Sequence, residues 1–308
     1  MKSAIVTGAT SFLGIALIHY MKREGMTVYA VTRPNSSRLA DIPRGDNIHV
    51  VECELSQLEQ FPIPAEKVDA FFHIGWSSDF SNPRTNEAGQ LLNVAYAKEA
   101  MRVAEQCRCD TFLGVGSQAE CGLVEGCIMA DTPPAPVTAY AKAKIAAYEA
   151  LADMVCQNGI KLCWPRLLSA YGPYDRPHTL IMSCVRAALA GEKMELTPGG
   201  QIWDYIYVDD AAEAMYKIAE FGKPMKHYPI GSGVGRSLRS YVEIIAEMTG
   251  STSLLEGIGA KGYGENQVMN LLADMSEVKA DTGFSCRIDF ETGIGRTIAY
   301  MQGMGQRY

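Results

Sequence analysis

Short apolar runs alternate with longer stretches of helical spacing through the first half of the chain. The runs at Ser3–Thr7, Thr27–Thr32, Ile48–Cys53, Ala70–Ile74, Thr111–Gly116 and Ile160–Pro165 predict strands. Segments such as A-I-V and A-F-F-H-I are apolar throughout, as expected of strands covered by helices on both faces. Between the runs, Leu13–Glu24, Leu91–Gln106 and Tyr140–Cys156 carry helical patterns. This alternation predicts an α/β fold built on a doubly wound parallel sheet. After Arg166 the pattern loosens. Tyr171–Pro177 reads as a turn-rich loop, Leu180–Ala190 as helix, Trp203–Val208 as strand and Asp209–Phe221 as helix. Gly231–Gly235 reads as loop and Leu238–Thr249 as helix.

Composition narrows the classes. The 308 residues are 47% hydrophobic and 20% charged, enough for one large α/β domain or slightly more. A net charge of −7 without a basic block makes nucleic acid and anionic membrane poor partners. No apolar run reaches the roughly 18 residues that span a bilayer. The opening M-K-S-A-I-V-T-G enters a strand pattern without a signal peptide, so the expected location is cytoplasmic. The nine cysteines form no C-x-x-C and the five histidines no cluster, so reduced thiols and no metal site are expected.

Thr7 to Gly14 reads T-G-A-T-S-F-L-G, directly after the first strand and opening the first helix. Gly8 permits a tight turn there, and Gly14 lets helix and strand approach. The backbone at Thr10, Ser11, Phe12 and Leu13 then faces a pyrophosphate at the positive helix end. Ser11 takes the place of the usual middle glycine, which requires its side chain to turn away from the ligand. This makes the sheet Rossmann-type. The dinucleotide domain is expected over 1–166, rejoined by 201–222, with a smaller α/β substrate-binding part over 167–200 and 223–308. The second strand ends at Thr32 and Arg33, where NAD sites normally carry Asp or Glu. Arg33, Ser36, Ser37 and Arg38 suit a ribose 2′-phosphate, so NADP is expected in preference to NAD. Tyr140 and Lys144 lie four apart in an Ala-rich helix and therefore share a face. A cation beside the phenol favours the phenolate, as a general acid/base requires.

Together these motifs resemble the extended short-chain dehydrogenase/reductases, in particular the NAD-dependent epimerase/dehydratase family that modifies nucleotide sugars. Further matches are Glu54-Leu55 after the third strand, F-H-I-G at Phe72–Gly75, Asn93 in L-L-N-V, and Ser117, 23 residues before Tyr140. P-R-L-L-S-A-Y-G-P from Pro165, W-D-Y-I-Y-V-D-D from Trp203 and D-x-S-x-x-K from Asp274 extend the resemblance over nearly the whole chain. The resemblance implies that Tyr140 is the acid/base. Lys144 lowers its pKa and hydrogen-bonds the nicotinamide ribose, and Ser117 orients the substrate oxygen. Glu54, Leu55, Ile74, Gly75, Asn93, Pro165 and Leu167 line the cofactor. Trp76, Gln118, Ser169, Arg176, Trp203 and Arg236 are the expected substrate contacts. A homodimer through helices of the first domain is also implied.

Three departures narrow the reaction. The 4,6-dehydratases carry T-D-E after the fifth strand, where this chain has Ser117, Gln118 and Ala119. Glu120 is one residue late, and on an extended segment that turns a side chain to the other face. Trp203 stands where an arginine usually grips the diphosphate. The late R-P-G-D is replaced by G-E-N-Q-V-M over Gly264–Met269, leaving Arg176, Arg236 and Arg239 as candidate substitutes. The expected function is an NAD(P)(H)-dependent oxidoreductase of a nucleotide-activated sugar, most simply a 4-ketoreductase. The alternatives are a 4-epimerase with retained cofactor and a non-catalytic cofactor-binding sensor or scaffold.

Overall fold

The structure is a computed structural model and describes residues 1–77, 86–265 and 267–305. In chain order the first half contains β1 (Ser3–Thr7), α1 (Phe12–Arg23), β2 (Thr27–Thr32), β3 (Ile48–Glu52), β4 (Ala70–His73), α2 (Glu87–Gln106), β5 (Thr111–Gly114), β6 (Gly116–Ser117), α3 (Ala139–Asn158) and β7 (Lys161–Leu167). Then follow β8 (Ser169–Tyr171), α4 (Leu180–Ala190), β9 (Ile202–Trp203), β10 (Tyr205–Tyr207), α5 (Val208–Phe221), β11 (His227–Ile230), β12 (Arg236–Ser237) and α6 (Leu238–Thr249). The short α7 (Thr252–Leu255), β13 (Asn270–Leu271), α8 (Ser276–Thr282) and α9 (Phe290–Gly305) complete the described chain.

The main sheet is parallel and ordered β11-β7-β5-β4-β1-β2-β3, with β6 also paired to β7. Its central strands β1, β4 and β5 are buried almost throughout, which fits their mostly apolar sequence. Helices α1 and α5 pack together on one face and α2 and α3 on the other, giving two separate cores. Strand order reverses between β1 and β4, and the crevice beyond such a reversal is where Rossmann-type sheets bind ligands. The register pairs Thr7 with His73, so the turns that follow, at Gly8 and at Ile74-Gly75, lie side by side there.

Two expectations change. His227–Ile230 pairs with β7 as an edge strand of the main sheet, not with the smaller C-terminal part. Its H-Y-P-I sequence is too short to announce a strand. The stretch expected as one strand, Trp203–Val208, divides at Asp204: β9 pairs with β12 and β13, whereas β10 pairs with β8. Asp204 explains the break. It is fully buried, and its carboxylate accepts from the amides of Ser232 (2.6 Å), Gly233 (3.0 Å) and Ala273 (3.1 Å) and from Ser232 Oγ (2.6 Å). Asp210 likewise accepts from the amides of Arg287 (2.9 Å) and Ile288 (2.8 Å). The acidic residues of W-D-Y-I-Y-V-D-D thus tie the C-terminal segments to the sheet.

Asp204→Asn would turn an amide NH2 toward backbone N–H groups that now donate to the carboxylate. The expected loss is about 2–4 kcal/mol in urea unfolding, since each buried unsatisfied donor costs about 1–3 kcal/mol. Glu243→Ala, which removes an exposed i,i+4 partner of Arg239, is expected to change stability by less than about 0.5 kcal/mol.

Candidate active site

Three glycines close the crevice at the strand-order reversal. Gly8 has a φ of 70°, and a Cβ there would lie 2.8 Å from Gly75 N. A Cβ on Gly14 would lie 2.3 Å from Gly8 O. A Cβ on Gly75 would lie 3.0 Å from the Leu55 side chain, which places Leu55 against the cradle. Thr7 Oγ1 accepts from Gly75 N (3.3 Å) and pairs with His73 Nδ1 (2.9 Å), locking the two turns together. Thr7 and His73 fall within the motifs T-G-A-T-S-F-L-G and F-H-I-G, but the sequence does not show that their side chains bond to each other.

The Ser11 side chain is engaged by its own helix. As N-cap of α1 its Oγ accepts from Gly14 N (3.0 Å), which leaves the amides of Phe12 and Leu13 at the open helix end. This arrangement fits a pyrophosphate, because backbone approaches closely at Gly8 and N–H donors face the opening. Thr10 Oγ1 lies 3.4 Å from both Thr32 Oγ1 and Ser36 Oγ. Arg33 and Ser37 are exposed just past β2. Arg38 is occupied: it pairs with Asp41 (3.4 Å), donates to Tyr174 O (3.0 Å) and stacks over the Tyr174 ring. Glu54 is exposed at the end of the segment after β3. Asn93 serves the backbone: its amide exchanges two hydrogen bonds with Ser77, at 2.7 and 3.2 Å. It thereby holds the chain that follows Gly75, Trp76 included, against α2.

Helix α3 starts at the N-cap Thr138, whose Oγ1 accepts from Ala141 N (3.1 Å). Tyr140 and Lys144 therefore lie in its first two turns, and α3 packs on β6 and on the turn Gln118–Cys121. Lys144 is only 5% exposed and donates to Val115 O at 2.7 Å, two residues before Ser117. Its Nζ sits 3.5 Å from the centroid of the Trp76 ring, and the Tyr140 ring meets Trp76 edge-to-face at 6.0 Å. Burial pulls the Lys144 ammonium down toward about 7, and the Glu120 carboxylate pushes back. Leu167 is the register partner of Ser117, and Pro165 lies two residues deeper in β7.

Glu120 requires a correction of reason. The segment after β6 is a 3-10 turn, not an extended run. Glu120 closes a capping box on it: Ser117 Oγ accepts from Ala119 N (3.2 Å), and Glu120 Oε1 accepts from Ser117 N (2.8 Å). The same carboxylate accepts from Trp164 Nε1 (3.2 Å) and Arg166 Nε (3.1 Å), and Arg166 also donates to Thr132 O (2.7 Å). Glu120 is 1% exposed and fully engaged behind Ser117, with Gln118 half-buried at the start of the turn.

The expected substrate contacts divide. Trp203 Nε1 donates to Ser169 Oγ (2.8 Å), so these two are joined. Arg236 is committed to Glu291 of α9 through contacts of 2.5 and 3.3 Å, and Arg239 to Glu243. Arg176 is exposed in the loop before α4. Asn266, within the replaced R-P-G-D segment, lies outside the described residues.

Comparison with known proteins agrees with this architecture. The chain is 24% identical to the CDP-abequose synthase of Salmonella muenchen over 97% of each sequence. Among solved structures it superposes with TM-score 0.84 on the UDP-glucose 4-epimerase of Thermotoga maritima, at 19% identity over 98% of this chain and 99% of that one. It superposes with TM-score 0.83 on the dTDP-glucose 4,6-dehydratase DesIV of Streptomyces venezuelae, a structure with NAD bound, at 18% identity over 100% and 99% of the two chains. The model of the NAD dependent epimerase/dehydratase family matches residues 4–231, from the first strand through β11, and the chain belongs to that family of enzymes.

Proposed function

We propose that this enzyme is an NAD(P)(H)-dependent 4-ketoreductase of a nucleotide-activated sugar. The observation that carries the reading is the commitment of Glu120. Both its oxygens are bound behind Ser117, and positions 118 and 119 are Gln and Ala. The turn after β6 thus offers no carboxylate for an elimination beside the reacting carbon. What it offers is Ser117, with Tyr140 and Lys144 on the helix packed against it.

With the pyrophosphate of the dinucleotide at the glycine cradle, its reduced nicotinamide would supply the hydride. The chain's own part is the proton. Ser117 Oγ already accepts from the Ala119 amide, so its O–H is available to donate to a keto oxygen. The Tyr140 hydroxyl gives its proton to that oxygen as the carbonyl becomes a carbinol. The neighbouring Lys144 ammonium favours the phenolate left behind, which regains a proton from solvent.

NADP is the proposed cofactor in preference to NAD, with Arg33 and Ser37 at the 2′-phosphate, because no carboxylate stands between Thr32 and Arg38. The smaller part, without His227–Ile230, is proposed to hold the nucleotide sugar, with Trp203 and Ser169 on its inner side. Leu91 and Leu92 of α2 are exposed, which supports a homodimer through the first-domain helices.

A 4-keto nucleotide sugar is expected to consume NADPH one-for-one, read as loss of the reduced nicotinamide absorbance at about 340 nm. Sugar interconversion without that loss would favour a 4-epimerase. Tyr140→Phe is expected to lower turnover by about 10²-fold or more while cofactor affinity stays within about twofold. Unchanged turnover would remove Tyr140 from the chemistry. Arg33→Ala is expected to weaken NADP binding about tenfold, the size of one charge-assisted hydrogen bond, and to leave NAD unaffected. Equal losses for both cofactors would refute the assignment.

A further inference from the structure

Trp76 follows the Gly75 cradle and is held from two sides. Its Nε1 donates to Gln90 Oε1 at 2.8 Å, and Gln90 is buried in α2. Asn93, three residues on and so on the same helical face, fixes the backbone of Ser77. Two buried amides of α2 therefore set the indole in place. Its face carries the Lys144 ammonium at 3.5 Å, well inside the roughly 6 Å over which a cation is drawn to an aromatic ring. Tyr140 meets the same indole at 81° between the ring planes.

The surroundings of Lys144 show why this contact matters. An ammonium has three N–H donors, and one of them is used by Val115 O. From the turn after β6, the Glu120 carboxylate favours the charged form, but it is shared with Arg166 of β7. From β4, His73 lies near, and burial holds it neutral at about 3. From α3 itself comes Tyr140, one turn earlier. Gln90 of α2 is neutral. The indole face is thus the surface that replaces water around the cation.

We infer that Trp76 is a positioning residue for proton transfer, its indole face holding Lys144 as a fixed, charged ammonium beside Tyr140. The inference rests on the proposed roles of those two residues. Its consequence is that the cation survives burial without a carboxylate of its own. A directly paired carboxylate would cancel the positive charge that acts on the phenol.

The test reads Lys144 itself, in cofactor-free protein labelled with [ε-13C]lysine, its signal identified by its loss in Lys144→Met. Trp76→Leu keeps apolar bulk and removes the π face. The Lys144 titration midpoint is expected to fall by about one pH unit, a tenfold loss in proton affinity, with Trp76→Phe in between. The alkaline limb of the pH–rate profile is expected to move down with it. A midpoint unmoved in both variants, whatever happens to Tm or KM, would overturn the inference and leave Trp76 as packing. Should Trp76→Leu not fold, Trp76→Phe decides alone. If the midpoint falls but no keto sugar is reduced, the reaction assignment fails and the role of Trp76 stands.

Discussion

A lysine ammonium withdrawn from water is the constraint around which this site is built. Isolated in an apolar interior it would discharge, so each neighbour of Lys144 must supply something that water no longer does. Val115 gives a carbonyl from the strand segment that leads to Ser117, Trp76 gives a π face from the segment after β4, and Glu120 gives a shared negative field. Each comes from a different element. Their meeting requires α3 to lie close to the sheet, which its small Ala141, Ala143 and Ala147, all buried, permit. Holding Lys144 therefore also sets the first turn of α3, with Tyr140, beside the strand end that carries Ser117.

Much of this was legible in the sequence. Leu180–Ala190 and Leu238–Thr249 match their helices residue for residue, because each has a clear apolar period and a glycine just beyond its end. The glycine loop was legible because Gly8 and Gly14 answer steric demands that no other residue meets. The limits were equally physical. β9 through β13 are two to four residues long, too short for periodicity to show. The aspartates of W-D-Y-I-Y-V-D-D read as a motif, whereas their job as acceptors for distant backbone amides depends on contacts 28 to 78 residues away. Trp76 stands in the sequence among the expected substrate contacts, and that its indole lies against Lys144, bonded to Gln90 of α2, is a tertiary contact no sequence pattern shows.

The structure also changes which cations are available to a diphosphate. Arg236 is held by Glu291, Arg239 by Glu243 and Arg38 by Asp41 with the Tyr174 carbonyl. Trp203, where the resemblance leads one to expect an arginine, is bonded to Ser169. The arginines near the smaller part are thus largely paired within the chain, whereas Ser117, Tyr140 and Lys144 lie together at the end of β6 and the start of α3.

The central claim is that one hydride passes to the sugar and one proton comes from Tyr140, with no elimination and no return of the hydride. Deuterium tracing tests it most directly. NADPH labelled with deuterium at C4 of the nicotinamide is supplied with a 4-keto nucleotide sugar, and the product is read by mass and NMR. The account predicts one deuterium, at sugar C4, for each cofactor oxidised. A product that carries none, formed while the cofactor pool stays reduced, would contradict it.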